Sequence, residues 1–111
     1  IHKDNQVKFE LIKGFVEKTL PIFNKKIKKI SFINCDVDLY NGHKSVLENL
    51  WRNLSKDGII YFDDVFPKKT KKLSFPGARI AYEEFFKKIN KKHFKEIVDK
   101  KRGNLVIKKT I

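Results

Sequence analysis

At 111 residues the chain is long enough for one domain or part of one. It is 41% hydrophobic and 13% aromatic, with ten Phe and thirteen Ile, which excludes a fully disordered chain. No apolar run approaches the roughly 18 residues of a membrane span, and the single cysteine, Cys35, excludes a disulfide framework and a Cys-based zinc site.

The net charge is +13, and the basic excess is lysine: 23 Lys against Arg52, Arg79 and Arg102. Proteins that grip phosphate or read bases lean on the planar fork of arginine. The lysines run along the whole chain, densest at 25–29, 68–72 and 87–92. That reads as solvated faces in a lysine-rich composition. A nucleic-acid or anionic-polymer partner is the alternative the charge offers, with no Arg-Gly-Gly run or zinc finger beside it. No basic-then-apolar leader follows Ile1, so the expectation is a cytoplasmic chain that begins part-way through a larger protein.

Val7, Phe9 and Leu11 alternate with Lys8 and Glu10, the period of a strand with one buried face. Gly14 ends it. Residues 15–20 fit a short helix stopped by Pro21. Residues 30–35 form a short, mostly apolar run that fits a central strand covered on both faces. Val46, Leu47, Leu50, Trp51 and Leu54 recur at helical spacing, with Asn41 in the N-cap region. Asp57-Gly58 reads as a turn, and residues 59–62 as a second apolar strand. A polar, lysine-rich loop is expected over 65–75, a candidate lid. Pro76 suits the start of a helix whose apolar stripe is Ile80, Ala81, Phe85, Phe86 and Ile89. Residues 94–98 and 105–107 fit two closing strands joined through Arg102-Gly103-Asn104. Strands alternating with helices make an α/β sheet, parallel in the middle and closed by an antiparallel hairpin.

Both inner strands end in acid: Asp36-Val37-Asp38 and Asp63-Asp64. In open α/β sheets ligands bind outside the carboxyl ends of the strands. A strand–helix–strand crossover favours parallel neighbours, so up to four of the chain's seven aspartates converge there. Such clustering is costly without a cation or protons, and hard oxygen donors suit Mg²⁺, Mn²⁺ or Ca²⁺. The plainer alternative is structural: Asp38 as a helix cap and Asp64 as a turn former. His43 opens a helix beside the acids and either touches a ligand or is a solvated helix-start residue. His2 lies at the chain start and His93 in a lysine-rich loop. Cys35 reads as a small core residue. No Gly-rich strand-to-helix loop is present, so the chain has no nucleotide cradle of its own.

Four stretches resemble the macrocin O-methyltransferase family of S-adenosylmethionine-dependent, metal-dependent sugar methyltransferases. They are Lys13-Gly14-Phe15 through Thr19-Leu20-Pro21, Asp36-Val37-Asp38-Leu39-Tyr40, Leu47-Glu48-Asn49-Leu50-Trp51 through Gly58-Ile59-Ile60-Tyr61-Phe62-Asp63-Asp64, and Pro76-Gly77-Ala78-Arg79 through Ala81-Tyr82-Glu83-Glu84-Phe85. They follow the family's order and spacing over residues 13–86. Two places depart: Asn41-Gly42-His43 stands where the family usually has Glu then Ser, Thr or Pro-His, and Val65 follows the Asp-Asp pair where Tyr is usual.

The resemblance implies that residues 1–111 form a partial methyltransferase domain, the carboxy-terminal half of a Rossmann-like class I fold. The glycine-rich loop and acid that hold S-adenosylmethionine would lie before Ile1, leaving this chain no cofactor-binding residues and no activity alone. Asp36, Asp63 and Asp64 would hold Mg²⁺, with Asp38 as alternate ligand. Asp36 would be the general base, and His43 and Arg79 would contact a sugar or glycoside substrate; an ion pair is the other reading of Arg79. A homo-oligomer is possible for the full-length enzyme. A basic binding module and an inactive truncated remnant are the alternative readings.

Overall fold

The computed structural model describes residues 7–67 and 76–111. In chain order these form helix α1 (Val16–Phe23), strand β1 (Ile30–Cys35), helix α2 (Tyr40–Leu50) running into a 3₁₀ turn (Trp51–Asn53), strand β2 (Leu54–Phe62), helix α3 (Gly77–Lys87), a second 3₁₀ turn (Lys91–His93), and strands β3 (Phe94–Asp99) and β4 (Asn104–Lys109). The sheet order is β1-β2-β4-β3. β1 and β2 are parallel; β4 runs antiparallel to both β2 and β3. The expected parallel pair and closing hairpin are therefore present, in a mixed α/β fold. No described helix is long and apolar enough to cross a membrane.

The register explains the core. Ile33 pairs with Ile60 and Cys35 with Phe62, while Ile60 pairs with Ile107 and Phe62 with Leu105. With side chains alternating along each strand, these residues share one face. Helices α2 and α3 cover it, burying Val46, Leu47, Leu50, Ala78, Tyr82 and Phe86. Each fully buried Leu, Ile or Phe contributes about 1.5–3 kcal/mol. Aromatic edges lock α3 down: Phe86 lies 5.2 Å from Trp51, 5.6 Å from Tyr82 and 4.8 Å from Phe94 between ring centres. The opposite face carries Phe32, Ile59, Tyr61, Val106 and Ile97, and Phe32 (59%) and Ile97 (58%) remain exposed.

Several expectations need correction. Residues 7–13 form no strand: Val7 is 51%, Phe9 85% and Leu11 99% exposed, so neither face of the alternation is buried. A strand needs a neighbour, and the described sheet places none beside this segment. Pro21 sits inside α1 rather than ending it. The helix forgoes one backbone hydrogen bond there and still closes with the Asn24 N–H donating to Leu20 O at 2.9 Å. β1 has the expected bounds but is an edge strand with Ser31, Phe32 and Asn34 exposed, not one covered on both faces. Helix α2 begins earlier than the apolar spacing shows, so Asn41 lies within it and Leu39 takes the N-cap position. Asp57 and Gly58 form an irregularity inside β2, where the register with β1 shifts and Asp57 takes φ +67°. Ile80 of the expected α3 stripe is exposed, and Tyr82 takes the buried place. Of the expected loop, Val65 is fully buried; residues 68–75 lie outside the described residues, and with them most of the candidate lid.

Candidate functional site

The parallel register sets the site. Cys35 and Phe62, the last residues of β1 and β2, are partners, and the Asp63 N–H donates to Cys35 O at 3.3 Å. Neighbouring strands lie about 4.8 Å apart, so the chain leaves both strands side by side, and Asp36 and Asp63 follow as adjacent residues at one end of the sheet. Two of the acids carry backbone that L-residues rarely adopt: φ is +57° at Asp38 and +51° at Asp64. Positions of this kind persist only where the surroundings hold them, and they gather at functional sites. Asp38 does not cap α2, which has no side-chain cap at all.

The site's rim comes from elements far apart in sequence. The Asp64 N–H donates to Asn104 Oδ1 at 3.3 Å, and Asn104 Nδ2 in turn donates to the Tyr61 hydroxyl. The Val65 and Phe66 N–H groups both donate to Gly103 O, at 2.9 and 3.0 Å. The start of the expected lid is thus tied to the β3–β4 turn, where Gly103 takes φ +74°. On the other side, the Tyr40 hydroxyl donates to Glu84 Oε2 at 2.6 Å, joining the start of α2 to α3. Gly77 makes that approach possible: a Cβ there would lie 2.5 Å from the Tyr40 backbone nitrogen. Arg79 pairs with Glu83 at 2.9 Å and stacks on the Phe66 ring, 5.2 Å from its centre. The ion-pair reading of Arg79 is the one the structure displays.

His43 is the main revision among the expected site residues. It is not a solvated helix-start residue; it is 1% exposed, with its ring 6.0 Å from that of Phe62. Nδ1 lies 3.3 Å from Cys35 Sγ, and Nε2 has no hydrogen-bond partner among the described residues. Burial lowers the imidazole pKa from 6.5, against the opposing pull of Asp38 and Asp36. Cys35 is buried as expected, and burial, helped by the Asp36 charge, pushes its thiol up to about 12.

Sequence reasoning missed Asn104, Tyr61, Glu84 and Phe66. Asn104 was legible only as part of a tight turn, and nothing in a separation of 40 residues announces its bond to Asp64. As for a cation, the donor chemistry at the strand ends is right, but among the described residues no group of three or more His, Cys, Asp or Glu is placed to hold an ion. The side chains as they stand do not fit a three-carboxylate metal site.

Solved structures similar to this α/β sheet include methyltransferases. The O-methyltransferase NovP superposes with a TM-score of 0.70 at 22% identity, covering 88% of this chain and 36% of its own. CalS11, a TDP-rhamnose 3'-O-methyltransferase of calicheamicin biosynthesis, superposes in its apo form with a TM-score of 0.67 at 24% identity, covering 88% of this chain and 39% of its own. The chain thus spans less than two fifths of the length of these relatives. No curated relative matches it. The model of the Macrocin-O-methyltransferase (TylF) family matches residues 2–100, and the chain belongs to that family.

Proposed function

We propose that residues 1–111 form the carboxy-terminal, acceptor-binding part of a Rossmann-like, S-adenosylmethionine-dependent O-methyltransferase acting on a sugar hydroxyl. The observation that carries this reading is the parallel pairing of β1 with β2, which sets Asp36 beside Asp63 and Asp64 in a chain of this family. The structural relatives are more than twice as long as this chain, so the cofactor-binding residues are assigned to the remainder of such a protein. The reading keeps the acceptor a sugar or glycoside and the enzyme cytoplasmic, and a full-length homo-oligomer compatible with it.

In this mechanism the Asp36 carboxylate accepts the proton of the acceptor hydroxyl, a role worth roughly 10²–10⁴ in rate. S-adenosylmethionine, when bound by the remainder of such a protein, would supply the methyl group that this oxygen takes. The larger share of the acceleration comes from holding acceptor and methyl donor in line. Asp63 and Asp64 orient the acceptor from the neighbouring strand end. Arg79 reaches it by leaving Glu83, and His43 acts from beneath rather than by contact. Mg²⁺ held by Asp36, Asp63 and Asp64, with Asp38 as alternate, requires those side chains to turn toward a common point, and no step here is routed through it.

The test is methyl transfer by the full-length enzyme from isotopically labelled S-adenosylmethionine. TDP-rhamnose is the first acceptor to try, because CalS11 is a TDP-rhamnose methyltransferase. Label on a sugar oxygen supports the reading, and its absence across a panel of nucleotide sugars and glycosides would refute it. Parallel reactions with chelator, and with Mg²⁺ restored, decide the cation separately.

A further inference from the structure

Beneath the Asp36–Asp38 segment lie two buried polar groups that the methyl-transfer step does not touch. Cys35 ends β1, His43 sits in the first turn of α2, and each is 1% exposed. Their side chains meet at 3.3 Å across eight residues of sequence. The contact therefore closes a loop whose interior carries both acids of the Asp-x-Asp motif. The backbone of this loop is under constraint throughout. The Leu39 N–H donates to Val37 O at 2.6 Å, the His43 N–H donates to Leu39 O at 3.1 Å, and Asp38 holds φ +57°. Val37 packs so closely on Gly42 that a Cβ there would lie 2.8 Å from its Cγ2. A left-handed aspartate is not a resting state of the chain and needs its surroundings to fix it.

The ring is an unexpected choice for a filler. Among the described residues His43 Nε2 is buried without a hydrogen-bond partner, a cost that an apolar residue of similar size would avoid. What histidine offers in exchange is a polar link between the end of β1 and the start of α2.

We propose that Cys35 and His43 form a buried brace that fixes where Asp36 and Asp38 stand, making both of them positioning residues. This rests on the methyl-transfer reading above. The thiol is the donor and Nδ1 the acceptor, which puts the ring proton on Nε2: a thiol has one hydrogen to give, and a neutral imidazole accepts at one nitrogen.

Three variants test the brace: Cys35→Ala removes the donor, Cys35→Ser keeps one, and His43→Phe keeps a ring without nitrogen. In the 111-residue chain, amide hydrogen exchange at Leu39 and residue 43 is compared with exchange at Ile60 and Ile107 of the core strands. In the full-length enzyme, kcat and KM are measured for the same variants. Cys35→Ala and His43→Phe are expected to speed exchange at Leu39 at least tenfold relative to Ile60. They should also lower kcat at least tenfold while the KM for S-adenosylmethionine stays within twofold, and Cys35→Ser should recover most of both. The ¹⁵N shift of His43 Nδ1 should be that of an unprotonated, hydrogen-bonded nitrogen. Unchanged exchange at Leu39, equal behaviour of the Ala and Ser variants, or matching loss of protection at Ile60 would each overturn the brace. If the wild-type enzyme transfers no methyl group, the functional reading falls, and the exchange data still decide the brace.

Discussion

His43 makes the protein's stability depend on pH in a direction that its burial fixes. The unfolded chain offers an ordinary imidazole near 6.5, whereas the folded one holds it below that value. The unfolded state therefore binds the proton more readily. The stability that neutral His43 contributes is complete above about pH 6.5 and declines as the pH drops from there through the lower folded value. The thermal midpoint should fall between pH 7.5 and pH 5, and His43→Phe should lose part of that dependence; identical pH profiles would show that the ring is not the titrating group. Sequence spacing placed His43 at the start of a helix beside the acids. Its burial was not legible, because it depends on the Cys35 and Phe62 side chains that the β1–β2 register brings under α2. The aspartates were legible for the opposite reason: where a short apolar strand stops, its terminal residue is visible in one dimension.

Helices and strands follow the same division between local and non-local information. The bounds of β1 and the turn between β3 and β4 are written in local composition, and both stand as expected. The start of α2 is not, since Tyr40 to Gly42 carry no apolar spacing and are drawn into the helix by contacts with α3 and Val37. Two substitutions probe this level. Gly77→Ala would press a methyl group against the Tyr40 backbone nitrogen, which cannot swing aside as a side chain tip can. It should destabilise the fold by about 1–3 kcal/mol, the usual cost of overpacking, as read by denaturant midpoint. Phe86→Ala removes the ring on which Trp51, Tyr82, Phe85 and Phe94 converge. It should cost about 3–5 kcal/mol. A loss below 1 kcal/mol in either variant would mean that α3 is not held as described.

For the molecule as a whole, strand order was the part the sequence concealed. Alternating strands and helices announce an α/β sheet, but they do not say that β4 inserts between β2 and β3, or that β1 lies at the edge. Nor do they say that Val7, Phe9 and Leu11 are left exposed, or that one sheet face keeps Phe32 and Ile97 uncovered. Those apolar surfaces suit the proposal that this chain is one part of a larger fold. It follows that the 111-residue chain should show no measurable binding of S-adenosylmethionine by titration calorimetry, whereas micromolar affinity would place the cofactor site within it. The most direct test of the account is the turnover of the full-length enzyme with Asp36→Asn, a change that keeps the shape of the side chain and removes its basicity. The account predicts a fall in kcat of about 10²–10⁴ with the fold intact, and turnover equal to that of the unaltered enzyme would contradict it.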